Sequence, residues 1–446
     1  MAHYSHILIS ILKHFNHFDK IEEVTMLKAA VIGAGNRGTV YGRYALKRPH
    51  EIQVIAVAEP DEKRRKLYAK HHNIPEEMQF HSWQEMLARP KLCEVLLICT
   101  MDRFHYEPAM LALEQGYHIL LEKPMSHDPL ESIKIAEKAQ QEKRILAICH
   151  SMRYGTFTQE LKRLVDEKVI GDLMSIQWTE NVGIEHYVFS FVRGKWRNSQ
   201  ESSSMILQKS CHDMDMLQWL VGAKCTEVSS FGSLSHFKKE HAPEGSTERC
   251  TDGCVIEHEC PYSAIKLYYH EKQGAWYNAV SLDNSLDARL QALKEGPYGR
   301  CVYRCDNDVV DHQVVNLLFE NEVTVSFTMS GFTGKEKRTF KIMGTKGEIR
   351  GSGGKNELEI NLFNGKQMTI HPTQVEGGHG GSDFLIMRDF VTQVQRGDLE
   401  GRTSAAESAR SHMIAFAAEH SRVTGKTINL DQFIQEVKSE KALVEN

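Results

Sequence analysis

The chain carries no basic tract. Its 54 Lys and Arg are outnumbered by 59 Asp and Glu, which leaves it slightly acidic and without the electrostatic footprint of a nucleic-acid binder. No uninterrupted apolar run reaches membrane-spanning length, so no transmembrane helix is expected. The N-terminus lacks the basic start of a signal peptide: His3, His6, His14 and His17 surround a short ILISIL run, and Asp19, Glu22 and Glu23 follow. Met26 stands just before the first apolar strand, so residues 1–25 read as a leader or a misassigned start, with an amphipathic helix covering the body as the alternative. The ten cysteines are scattered rather than arranged as a disulfide framework, which suits reduced thiols or a local metal site in a cytoplasmic enzyme. A length of 446 residues exceeds one ordinary domain and suggests two.

What is present is concentrated between Leu27 and Glu59. Lys28 to Ile32 form a short apolar run of the kind a buried parallel strand needs. Gly33, Gly35 and Gly38 follow as G-x-G-x-x-G, with Asn36 and Arg37 inside the motif. The first glycine permits a tight turn, the second admits a pyrophosphate, and the third lets the new helix lie close to the sheet. The helix N-terminus then faces the anion. A second strand, Val54 to Ala58, ends in Glu59, which would bind the adenosine ribose hydroxyls and repel a 2'-phosphate. This is a dinucleotide site that favours NAD. Arg64 and Arg65 lie just beyond and keep NADP open.

Strand–helix alternation continues to Cys149, as in a doubly wound parallel sheet. Glu94 to Thr100 is a buried strand followed by a loop that contains His105, and His118 to Leu121 is a strand that ends in Glu122-Lys123-Pro124. Lys123 follows a buried strand and precedes a proline, which places an ammonium in the cleft, suited to holding a substrate hydroxyl and favouring its alkoxide.

Glycine loop, acid-ended strand, Thr100 with His105, and Glu-Lys-Pro together resemble the glucose–fructose oxidoreductase / inositol dehydrogenase / rhizopine-catabolism (Gfo/Idh/MocA) family. The resemblance runs from Lys28 to the C-terminal helix. It implies a dinucleotide-binding domain over 26–150 and a substrate and oligomerisation domain over 151–400. That second domain is α+β, with a large, mostly antiparallel sheet, and residues 401–446 form a C-terminal helix and tail packed on the body. It also implies a homodimer or homotetramer formed through that sheet, a catalytic role for Lys123, cofactor contacts from Thr100, His105 and Glu122, and a Lys123–Pro124 bond that is cis.

In the second domain, SIQWTENVG, IEHYVFSFVRGKW, and residues 224–233, 264–270, 311–330 and 338–343 read as strands. Ser202 to Gly222 reads as a helix. Family members carry D-x-G-x-H-x-x-D there; this chain offers His212 and Asp215 in the last two polar positions, but Gln208 replaces the first Asp and Ser210 the Gly. His212 reads as a general base or as a structural histidine, and Lys209 and Asp213 are neighbours that could compensate for the lost Asp. Tyr154, His186, Arg193, Gln208, Lys209 and His379 are the candidate substrate contacts, His379 because its GGHGGSD loop suits a pocket lid. The final helix, Ser404 to His420, reads as a packing element with no chemistry.

Cys250, Cys254 and Cys260 sit in a Pro/Gly-rich insertion, 238–261, as C-x3-C-x5-C. With Cys305, Cys301 or His258 they would make a structural zinc or iron–sulfur site; a loop of reduced thiols is the alternative.

The expected activity is hydride transfer between NAD and a hydroxyl of a sugar, inositol or related polyol. Two alternatives stand beside it. One is an NAD-dependent glycoside hydrolase acting by transient oxidation and elimination. The other is a non-catalytic, dinucleotide-responsive partner, against which Lys123 and His212 argue.

Overall fold

The computed structural model describes residues 26–272, 275–335, 337–375 and 378–440; the expected leader, 1–25, lies outside them. The first sheet comprises β1 (Leu27–Ile32), β2 (Ile52–Ala58), β3 (Gln79–Phe80), β4 (Val95–Ile98), β5 (His118–Leu121) and β6 (Leu146–Ile148). Its order is β3-β2-β1-β4-β5-β6 and every pair is parallel. Alternate residues of each strand enter different cores. Ala29 and Val31 of β1 join one cluster and Ala30 and Ile32 the other, as the two-residue period of a strand buried on both faces requires. The first cluster is covered by α1 (Asn36–Lys47), through Tyr41, Tyr44 and Ala45. The strand order reverses between β1 and β4, where such sheets open a ligand crevice at their carboxyl ends.

The second sheet adds β7 (Leu173–Asn181), β8 (Cys225–Ser233), β9 (His312–Phe319), β10 (Thr324–Ser330), β11 (Lys337–Gly344), β12 (Gly347–Ser352), β13 (Glu357–Leu362), β14 (Gln367–Ile370) and β15 (Ile428–Asn429). Its order is β14-β13-β12-β11-β7-β10-β9-β8-β15, antiparallel except for β7 against β10. One face is covered: Val315, Leu317 and Phe319 share a core with Met214 and Leu217 of α2 (Met205–Val221). The opposite face leaves Phe231, Val314 and Leu318 exposed.

Two expected strands are helices. Ile184–Tyr187 is α-helical and Val188–Arg193 continues as a π-helix, and residues 264–270 contain the helix Ala264–Tyr268, capped by Ser263. Both are short apolar runs, whose period cannot separate a strand from a buried helix. Tyr187 through Arg193 are all buried, so no polar face betrays the helix.

The chain then returns to the first sheet. Helix α3 (Ser382–Arg396) places Ile386, Met387, Phe390 and Val391 in the core that α1 covers. Helix α4 (Ala405–Thr424) places Ala405 and Ala409 in the other Rossmann-side core and Met413 and Ile414 in the core of the second sheet. At its start, the amide of Ile148 donates to the Thr403 carbonyl at 2.8 Å, and Ser404 bridges Ala147.

Candidate active site

The glycine loop separates what the fold needs from what a ligand needs. Gly33 has φ +92°, and a Cβ there would lie 2.7 Å from the Cys99 carbonyl oxygen; one on Gly38 would lie 2.1 Å from the Gly33 oxygen. Both glycines are required by the protein's own backbone. A Cβ on Gly35 would meet nothing within 4 Å. Gly35 is also the N-cap of α1, which has no side-chain cap and no acid in its first turn, so its terminal amides are available to an anion. Asn36 is exposed beside it. This open, donor-lined cradle fits a dinucleotide pyrophosphate.

Glu59 ends β2 as a buried carboxylate and accepts from the amides of Ala34 (2.8 Å) and Asp61 (3.0 Å). Arg65 donates to the Glu59 carbonyl at 2.6 Å, so part of its reach is used within the loop.

Several residues expected to touch the cofactor brace the crevice. Arg37 is ion-paired to Glu122 (2.6 Å) and to Asp383 (2.7 Å), which ties α1 to the end of β5 and to α3. Tyr41 donates to Glu122 at 2.7 Å. Burial opposes ionisation of Glu122, but Arg37 and Tyr41 hold its carboxyl below the usual range. His105 is buried with Nδ1 2.8 Å from the Pro124 oxygen and Nε2 3.1 Å from the Thr100 oxygen, so it clamps the loop after β4 to the loop after β5. The Thr100 hydroxyl donates to the Phe104 carbonyl at 3.0 Å.

On the substrate side, the Lys123–Pro124 bond is cis. Half-buried Lys123 directs Nζ to the Gln208 carbonyl oxygen at 2.6 Å, one helical turn before His212 on α2. Behind them lies a group that sequence reading did not assemble. His150, which follows β6, is fully buried with its ring centroid 5.6 Å from that of His212 and 5.4 Å from that of His412 on α4. Asp215, one turn after His212, takes two hydrogen bonds of 2.7 Å from Arg153. Burial pushes the Asp215 carboxyl up, while this bidentate contact holds it as the carboxylate. Burial, then the charges of Arg153 and Lys123, pushes His150 well down.

Other candidates lie elsewhere. Tyr154 is buried with its hydroxyl on Asp389 (3.0 Å), which places it between the loop after β6 and α3; its neighbour Arg153 supplies the contact to α2. Lys209 pairs with Glu180 of β7 at 3.5 Å, and Asp213 with Arg338 at 2.6 Å and the Trp178 indole at 2.8 Å. Lys209 and Asp213 thus both face the second sheet. Arg193 is fully buried at the base of the insertion, where it donates to the carbonyls of Arg300 and Tyr262 at 2.7 Å and lies 3.8 Å from the Cys250 sulfur. His186 rests edge-on against Trp276, with centroids 4.8 Å apart. His379 lies in the turn Gly378–Gly381, and its side chain is outside the described residues.

The donor geometry lends the metal expectation no support. Among the described residues, no three His, Cys, Asp or Glu side chains are placed to hold a metal ion. Cys250, Cys254, Cys260 and Cys301 line a cavity of about 20 Å³ with Arg193. Cys305 stands outside this lining, its thiol donating to the Cys301 carbonyl at 3.3 Å, and all ten cysteines are free. Four sulfurs line one cavity without the convergence a metal needs.

Comparison with known proteins agrees with this geometry. A family model described as an oxidoreductase family with an NAD-binding Rossmann fold matches residues 27–150, and its C-terminal alpha/beta domain counterpart matches residues 162–430. The Bacillus subtilis (strain 168) oxidoreductase YteT is 22% identical over 361 residues, 76% of this chain and 82% of that protein. Inositol 2-dehydrogenase of Corynebacterium glutamicum (strain R) is 26% identical over 220 residues, 47% of this chain and 60% of that enzyme. A solved structure of levoglucosan dehydrogenase with NADH and levoglucosan has a TM-score of 0.68 at 18% identity, covering 91% of this chain and 100% of that one. With both halves matched and a glycine loop shaped for a dinucleotide, the chain belongs to the Gfo/Idh/MocA family of NAD(P)-dependent oxidoreductases.

Proposed function

We propose that this enzyme oxidises a hydroxyl of a sugar, inositol or related polyol with NAD. The observation that carries the reading is the Lys123 ammonium, 2.6 Å from the Gln208 carbonyl and beside the His212 helix, at the carboxyl ends of the strands where the glycine loop also opens. When bound, the nicotinamide supplies the hydride acceptor. Lys123 orients the substrate hydroxyl and stabilises its alkoxide. His212 accepts the hydroxyl proton, as an imidazole can near neutral pH. The buried Arg153–Asp215 pair fixes the face of α2 that presents His212.

Glu59 favours NAD over NADP, because a 2'-phosphate would bring its charge against a buried carboxylate. The polyol class is supported by the inositol and levoglucosan dehydrogenases to which the chain is similar. The exposed face of the second sheet, with Phe231, Val314 and Leu318, suits a second copy of the chain, and no helix among the described residues is long and apolar enough to cross a membrane.

Gln208 favours one second reading. An amide cannot relay a proton as the family's aspartate does, which fits a cycle that returns the hydride to the substrate, as in redox-assisted glycoside cleavage. The test is a screen of free sugars, inositols and aryl glycosides, following NADH absorbance and aglycone release together. NADH formed with a free polyol supports dehydrogenation; aglycone release without net NADH supports the second reading. Neither signal from any compound, in protein that binds NAD, would overturn both.

A further inference from the structure

Helix α4 is followed by one more helix, Leu430–Glu440, and so is not the final helix expected. It reaches the candidate site through Ser411, whose hydroxyl donates to Asp215 at 3.5 Å, and through His412. His412 is fully buried. Its Nδ1 lies 2.6 Å from the Ser408 carbonyl oxygen, and its Nε2 lies 3.1 Å from the amide nitrogen of Met125. A carbonyl can only accept, so Nδ1 carries the hydrogen. That leaves the Nε2 lone pair for the Met125 N–H, and the two contacts require the neutral Nδ1–H tautomer. Met125 is two residues beyond Lys123, in the loop that His105 also holds, through the Pro124 oxygen at 2.8 Å. The base of α4 is itself fixed to β6 through Ile148, Thr403 and Ser404.

We infer that His412 is a positioning residue for the proposed oxidation: its Nε2 holds the Met125 amide and so sets where Lys123 presents its ammonium. The inference rests on the function proposed above. A loop that loses its Met125 anchor lets Lys123 drift from the Gln208 carbonyl. A misplacement of about 1 Å in a reacting group costs on the order of 100-fold in rate. Burial, with the neighbouring His150, pushes His412 down to about 3, in keeping with a ring that stays neutral as an acceptor.

The experiment compares His412→Phe, which keeps a ring without an acceptor, with His412→Gln, whose carbonyl can accept from Met125 while its amide donates to Ser408. If His412→Phe does not fold, His412→Asn, too short to reach Met125, replaces it. Turnover of the polyol found in the screen, NAD affinity and amide hydrogen exchange at Met125 are measured in each, with Lys123→Ala alongside. The expected result for His412→Phe is a kcat lowered about tenfold or more, KM and NAD affinity within about twofold, and lost protection at Met125. His412→Gln recovers both protection and most of kcat. Unchanged kcat or unchanged Met125 protection in His412→Phe overturns the inference, as does a His412→Gln variant equally impaired. If Lys123→Ala keeps full turnover, the proposed function falls instead, which separates the two failures.

Discussion

The two halves of the proposed active site are built in opposite ways. The cofactor half is one continuous stretch, Leu27 to Glu59, in which each glycine has a separable duty and the closing acid is bound by the amides of Ala34 in the glycine loop and Asp61 just beyond it. The substrate half has no such local plan. Lys123 comes from the end of β5, His150 and Arg153 from the end of β6, His212 and Asp215 from α2, and His412 from α4. Those segments are distant in sequence and meet only when both sheets are in place. A locally built site tolerates damage elsewhere in the fold; a convergent one transmits it.

Breaking the substrate half at its reactive group gives the largest effect. Lys123→Ala is expected to lower kcat by about 100- to 10,000-fold, the usual range for removing a positioned acid–base group, while NAD binding persists. Steady-state kinetics beside a cofactor titration checks this.

Breaking the same half at its support is expected to cost stability first. Arg153→Ala strands the buried Asp215 carboxylate, and removing one partner of a buried pair costs about 3–5 kcal/mol. Urea unfolding measures it. Arg153→Lys restores charge without the two-pronged contact and falls between.

The cofactor half can be cut more finely. Gly38→Ala puts a Cβ 2.1 Å from the Gly33 oxygen and is expected to cost about 1–3 kcal/mol as an overpacked substitution. Gly35→Ala meets nothing within 4 Å, so its melting temperature should stay near wild type while NAD affinity falls. A thermal melt and a cofactor titration on the pair separate fold from ligand.

Acid gives the smallest and most diffuse effect. Burial pushes His72 and His118 down to about 4 and His412 to about 3. Between those values and 6.5 the unfolded chain binds protons that the folded chain does not. Stability is therefore full above about pH 6.5 and declines as pH falls toward 4. Melting temperature across that window tests the sign.

The contrast also explains what the sequence disclosed. The glycine loop, Glu59 and Glu-Lys-Pro are legible because their spacing is local and each residue type answers a steric or electrostatic demand of its own segment. Lys123 is proposed from that same local pattern, and His212 from the resemblance of its helix to the family motif. His412 was missed because its helix reads as an apolar packing face at helical spacing, and nothing local reveals that Met125 lies opposite. Tyr154 drew attention as the aromatic of its loop, while Arg153, charged beside a helix that carries Asp215, makes the contact. Arg193 read as a substrate contact on a strand because a π-helix buried on every side has no polar stripe. The strands of the second sheet were recoverable where burial alternates, as in β9 and β10. Strands β12 to β14 were not read from a stretch dense in glycine and polar residues.

The most direct test sets cofactor affinity against turnover in wild type, Lys123→Ala and Gly35→Val. The expected result is NAD affinity unchanged in Lys123→Ala with turnover lost, and NAD affinity lost in Gly35→Val with the folded state intact. Turnover that survives in Lys123→Ala, or NAD binding that survives in Gly35→Val, would contradict the assignment of the two halves.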